Sequence, residues 1–149
     1  MFKQLKSGDE IRIIAPSQSK RASKSAGYNR AKNRLEESGY KISFGKNIDK
    51  IAHFGTASAK DRAYDFNEAY ADKNVAAVMA INGGWSANEI LPLIDWDIVA
   101  ANPKPLIGFS DITVLHNAIY AKTGNVSLLG PNFGTIGRMT SWQYTLDNL

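Results

Sequence analysis

Val75-Ala76-Ala77-Val78-Met79-Ala80-Ile81-Asn82-Gly83-Gly84-Trp85-Ser86-Ala87-Asn88 is the stretch that decides the fold. From Val75 to Ile81 every residue is apolar, as expected of a strand covered on both faces, and the run stops abruptly at Asn82-Gly83-Gly84. Strands of that kind belong to parallel sheets flanked by helices.

The flanking sequence fits such a sheet. Upstream, Ser58 and Asp61 have capping-box spacing, with Asp in place of the usual Glu, and Ala63, Phe66, Ala69 and Tyr70 give the apolar face of a helix behind them. Further back, Gly45 to Thr56 reads as loop, and Tyr40, Ile42 and Phe44 alternate with polar residues as in a half-buried strand. Ser19 to Ser38 reads as a helix stopped by Gly39, and Ile11, Ile13, Ile14 and Ala15 as a first strand stopped by Pro16-Ser17. Downstream, short helical pieces are expected at Asn88 to Ile94 and Asp97 to Ala101, then a strand at Leu106 to Phe109. Ser110 is expected to cap a helix carrying Ile112, Leu115, His116 and Ile119 on one face, closed by Gly124. Val126, Leu128 and Leu129 make a last strand. The alternation predicts one α/β domain: a mainly parallel sheet with helices on both faces, Rossmann-like or flavodoxin-like.

Composition narrows the chemistry. The 149 residues carry a formal charge of +4 and no cysteine, so neither a disulfide framework nor a thiolate metal site is expected. Lys and Arg are scattered among acids and form no stripe for nucleic acid; Lys20, Arg21, Lys24, Arg30, Lys32 and Arg34 fit the outer face of one helix. Met1 to Ile14 interrupts its apolar residues with charges, so it reads as no signal peptide, and no run approaches the ~20 apolar residues of a membrane span. A cytoplasmic location is the expectation.

In open α/β sheets, ligands collect at the carboxyl ends of the strands. Those ends here carry Pro16-Ser17, Gly83 to Asn88, Ser110-Asp111 and Gly130-Pro131. Glycines after a buried strand let a substrate approach backbone N–H groups, and a helix start offers unpaired donors there, as an oxyanion hole requires. A dinucleotide turn would need Gly-x-Gly-x-x-Gly, which is absent, and so is the hydrolase Gly-x-Ser-x-Gly. A plain strand-to-helix turn is the competing reading.

From Val75 to Pro131 the chain resembles the LD-carboxypeptidase family of serine peptidases, which includes the microcin C self-immunity peptidases. Gly83-Gly84-Trp85-Ser86-Ala87 with the segment ending in Asp95 resembles its Gly-Gly-x-x-Ser phrase. Pro103-Lys104 and Gly108-Phe109-Ser110-Asp111-Ile112-Thr113 resemble its Pro-Lys…Gly-[Phe/Tyr]-Ser-Asp-x-Thr phrase. Ala15-Pro16-Ser17, Gly130-Pro131, and Gly55-Thr56 with Arg62 and Asp65 extend the likeness over nearly the whole chain.

The resemblance implies an N-terminal nucleophile-elbow domain spanning residues 1–149, whose partner Glu and His lie in a C-terminal domain outside this chain. It places the nucleophile at residue 87, where this chain has Ala87, so the chain as given is expected to be inactive. It implies backbone oxyanion donors at Gly84 and Asn88, and no organic cofactor or metal. The substrate would be a murein peptide or a peptidyl-nucleotide antibiotic of the microcin C type, and the assembly a homodimer. A non-catalytic module holding a small ligand in the same cleft is the alternative. Gly83 and Trp85 are expected at the substrate, Trp85 either walling a pocket or packing on the neighbouring helix. Ser110 and Asp111 either line the site or cap a helix. Ser86, with Glu89 three residues on, is expected to spend its hydroxyl as a helix cap. His116 reads as a partly buried structural residue, and His53 as an exposed loop residue.

Overall fold

The computed structural model describes residues 4–23 and 27–147. Five strands, β1 (Glu10–Ile14), β2 (Lys41–Phe44), β3 (Val75–Ala80), β4 (Leu106–Gly108) and β5 (Leu128–Leu129), form one sheet in the order β2-β1-β3-β4-β5, and all its ladders are parallel. That is the flavodoxin-like order, so it decides between the two expected architectures. The chain turns outward from β1 to β2, then returns to place β3 on the other side of β1. The switch point therefore lies between β1 and β3.

The helices are α1 (Gly27–Glu37), α2 (Ala59–Ala71), α3 (Trp96–Ala101), α4 (Thr113–Thr123), α5 (Phe133–Ile136) and α6 (Trp142–Asp147). Period-two alternation along β3 splits the core into two layers. Val78 and Ala80 pack with Phe66 and Tyr70 of α2, Val99 of α3 and Leu115 and Ile119 of α4. Ala77, Met79 and Ile81 face the opposite way, onto Ala31 and Leu35 of α1 and Phe133 and Ile136 of α5. Burial on both faces accounts for the unbroken apolar run. At the start of α2, the Ser58 hydroxyl accepts the Asp61 N–H, the expected cap.

Several expectations are corrected. The helix from Ser19 to Ser38 is a 3-10 turn (Lys20–Ser23) followed by α1 from Gly27; its residues 24–26, including Lys24 of the basic cluster, lie outside the described residues, as do residues 1–3 of the N-terminal segment. Arg30 and Arg34 do not simply face solvent. They donate to the carbonyls of Gly137, Ile136 and Arg138, and the Arg34 guanidinium stacks 3.8 Å from the Trp142 ring centre. This docks the α5–α6 segment, which the sequence reading did not resolve, on α1.

Ser86 is not a side-chain cap. The segment it precedes (Ala87–Leu93) is 3-10 with Pro92 inside, and Glu89 turns to pair with Arg62 and cannot complete a capping box. Ser110 is not one either: it adopts φ +66° at the head of a 3-10 turn (Ser110–Ile112), and α4 begins only at Thr113.

Candidate active site

The carboxyl ends of β1 and β3 face each other across the switch point, and the residues following them are tied together. Ser17, fully buried after β1, donates its hydroxyl to Asp111 Oδ2 at 2.6 Å; the same oxygen accepts the Ala87 N–H at 2.9 Å. The Ser86 N–H approaches Ser17 Oγ at 3.4 Å, and the Gln18 N–H donates to the Gly83 carbonyl at 3.3 Å. Asp111 thus clasps the elbow to the end of β1 instead of serving a helix dipole.

Both glycines of the turn are required. Gly84 has φ +151°, and a Cβ there would overlap Ser17 Oγ; a Cβ on Gly83 would lie 2.9 Å from Ser110 Cβ. The left-handed Ser110 is a non-glycine outlier of the kind that collects at functional sites, here where β4 ends beside the elbow. Sequence reasoning therefore brings together the right group: Gly83, Gly84, Ala87, Ser110 and Asp111 meet at one place. Asn88 follows Ala87 in the 3-10 segment. Ala87 itself is fully buried, its methyl packed in the core layer with Ile14, Ile90 and Ile112.

Trp85 points away from the helices. It is 67% exposed and walls a cleft of about 510 Å³ shared with His53, Phe54, Ala57, Ser86 and Glu89. Of its two expected roles, packing on the neighbouring helix is thereby excluded. A second cleft, about 420 Å³, opens at the opposite, amino-terminal end of the strands beside Val75 and Lys104 and has no part in this site.

Arg62 and Ser17 are the residues whose roles the sequence reading missed. The Arg62 side chain is 1% exposed, and its guanidinium donates to the carbonyls of Ala57 (3.0 Å), Pro16 (2.8 Å) and Ser86 (2.8 Å) as well as to Glu89. One cation from α2 therefore fixes the end of β1, the elbow and the loop before α2. A signal was present: Arg62, Phe66 and Ala69 stand at i, i+4 and i+7, which puts an arginine on the buried face. Asp65 secures the same loop by accepting the Asn47 N–H and side-chain amide, and burial pushes its carboxyl above the ordinary range.

The two histidines take their expected places. His116 is half-buried: its Nε2–H donates to the Gly108 carbonyl at 2.9 Å, and Nδ1 accepts from Ser127 Oγ at 2.6 Å. Burial lowers its pKa, with the Gly108 bond opposing. His53 is exposed in a turn. Among the described residues no cluster of three or more His, Asp or Glu is placed to hold a metal ion. Among them, too, no helix is long and apolar enough to cross a membrane.

A flavodoxin-ordered sheet with a glycine elbow clasped at its switch point defines an α/β domain whose chemistry belongs at the ends of its two central strands. This chain belongs to the LD-carboxypeptidase family: the model of the family's N-terminal domain matches residues 11–130. It is 40% identical over 143 residues to a putative carboxypeptidase of Treponema pallidum, covering 96% of this chain and 42% of that one. The crystal structure of an MccF-like protein from Bacillus anthracis superposes with a TM-score of 0.92 at 40% identity, covering 98% of this chain and 44% of that one. MccF in complex with glutamyl sulfamoyl guanosine gives 0.93 at 30% identity, over 98% of this chain and 44% of that one. Other relatives are named as the microcin C7 self-immunity protein of Escherichia coli and a murein tetrapeptide carboxypeptidase of Pseudomonas aeruginosa. The chain spans less than half the length of the relatives it matches. The family is one of carboxypeptidase-type hydrolases acting on murein peptides or microcin.

Proposed function

We propose that these residues form the nucleophile side of a serine carboxypeptidase-type hydrolase that cleaves an amide or related acyl bond in a murein peptide or a peptidyl-nucleotide. The carrying observation is the elbow at the switch point, where Gly84, the residue 87 amide, Ser17 and Asp111 lock into one constellation. In the parent reaction a serine at position 87 attacks the acyl carbon. A His–Glu pair contributed from outside these residues takes its proton and returns it to the leaving amine. The N–H groups of Gly84 and Asn88 hold the tetrahedral oxyanion. The Ala87 amide does not contribute, because Asp111 already accepts its proton. The protein works in the cytoplasm, as a homodimer.

Ala87 has no hydroxyl, so this chain forms no acyl-enzyme. That methyl, buried in the core, favours the second reading, a module that binds ligand in the cleft without turnover. The test is Ala87→Ser in a two-domain protein that joins these residues to the family's C-terminal domain. Hydrolysis of a murein tetrapeptide or an aminoacyl sulfamoyl nucleoside is expected. Failure to cleave either, with ligand still bound, establishes the binding module instead.

A further inference from the structure

The cleft beside the elbow is built to hold a flat ring. Phe54 sits at the tip of a tight turn, with φ +50°, followed by Gly55 at φ +76°. The turn is rigidly tied. The Thr56 N–H and hydroxyl both donate to the His53 carbonyl at 2.9 Å, the Ala52 N–H donates to Thr56 O at 2.7 Å, and the Ser19 N–H donates to Gly55 O at 2.9 Å. This bonding holds Phe54 out with 88% of its surface exposed, although burying a phenylalanine would stabilise the fold. Trp85, 67% exposed, stands on the same cleft directly after the elbow glycines. Two large aromatics kept in solvent on one rigid cleft next to the reactive position mark a recognition surface.

The lining also selects the charge of what enters. No lysine or arginine lines the cleft among the described residues, and the Glu89 carboxylate is spent on Arg62. A phosphate finds no cation there. The volume of about 510 Å³ lies in the range of small-molecule sites.

We propose that this cleft is a ring-binding subsite in which Trp85 and Phe54 stack an uncharged planar group of the substrate, a nucleobase or an aromatic side chain, while the scissile bond lies at the elbow. This rests on the reading of the elbow as an acyl-transfer site and sharpens it: a murein peptide offers no such ring.

Calorimetric titration of the 149-residue chain tests the subsite, using aspartyl sulfamoyl adenosine and adenosine as nucleobase probes, N-acetyltryptophanamide as the amino-acid probe, and a murein tetrapeptide. At least one ring probe binds. Trp85→Ala weakens it about tenfold and Phe54→Ala about threefold, as loss of aromatic stacking requires, while both variants keep the wild-type melting temperature because the side chains are exposed. Which ring probe responds tells nucleobase from aromatic residue. Ring-probe affinity unchanged within twofold in Trp85→Ala, or no ring probe bound at millimolar concentration, overturns the subsite. Tetrapeptide hydrolysis by the two-domain Ala87→Ser protein then still upholds the peptidase reading. Conversely, ring binding lost in Trp85→Ala together with an inert Ala87→Ser protein keeps the subsite and removes the peptidase.

Discussion

Arg12 and Arg62 are both withdrawn from solvent at opposite ends of the sheet, and they spend their charge differently. Arg12, in β1, meets carboxylates: Glu10 at 3.0 Å, Asp72 at 3.1 Å, and Glu68, with Ser43 also accepting. Those partners are 21% to 39% exposed, so water shares the pairing. Arg62 meets three main-chain carbonyls and one carboxylate, with only 1% of its side chain exposed. Arg12 joins elements that already have ladder and helix bonds of their own. Arg62 supplies the missing bonds of three irregular segments, which is how a site built from loops is given a fixed shape.

Removing each cation separates the two roles. Arg62→Ala should cost about 3–5 kcal/mol in urea denaturation, since it strands buried carbonyls. A loss near 1 kcal/mol would equate the two arginines and break the contrast. Gly84→Ala, which tests the clasp that Arg62 supports, should cost about 1–3 kcal/mol from backbone strain alone, with further loss from the overlap with Ser17. Arg12→Met should cost about 1 kcal/mol, and less in high salt, because its partners are water-shared. Salt-independent destabilisation would show that the amino-terminal cluster is as dry as the site.

The smallest effect concerns a group that must fold uncharged. Burial holds the His116 pKa below its ordinary value of 6.5, so the stability this brings is complete above that value and is lost as pH falls through the lowered folded value. The urea midpoint should drop on acidification from about pH 7.5 to about pH 5, and His116→Gln should flatten that slope. An unchanged slope in the variant assigns the acid sensitivity to other groups.

Strands and their ends were legible because burial on both faces leaves the unmistakable run Val75 to Ile81, and because glycines must follow where chain ends approach closely. The order of strands was not, since β1 and β3 pair across residues with no local trace of that choice. Likewise the Ser17–Asp111 bond spans 94 residues, so each partner reads locally as a turn or helix-start residue. Ser86 and Ser110 were misread for the same reason: capping signatures are local, and the buried guanidinium and the left-handed turn that override them are tertiary. The resemblance to a known family, more than periodicity, pointed to residue 87.

The central claim is that position 87, clasped by Asp111 and Ser17, is where a nucleophile belongs. Peptide mapping of a fluorophosphonate adduct on the two-domain Ala87→Ser protein tests it most directly. The adduct is predicted on residue 87, and absent from the Ala87 parent. An adduct on Ser86 or Ser110, or none at all, would contradict it.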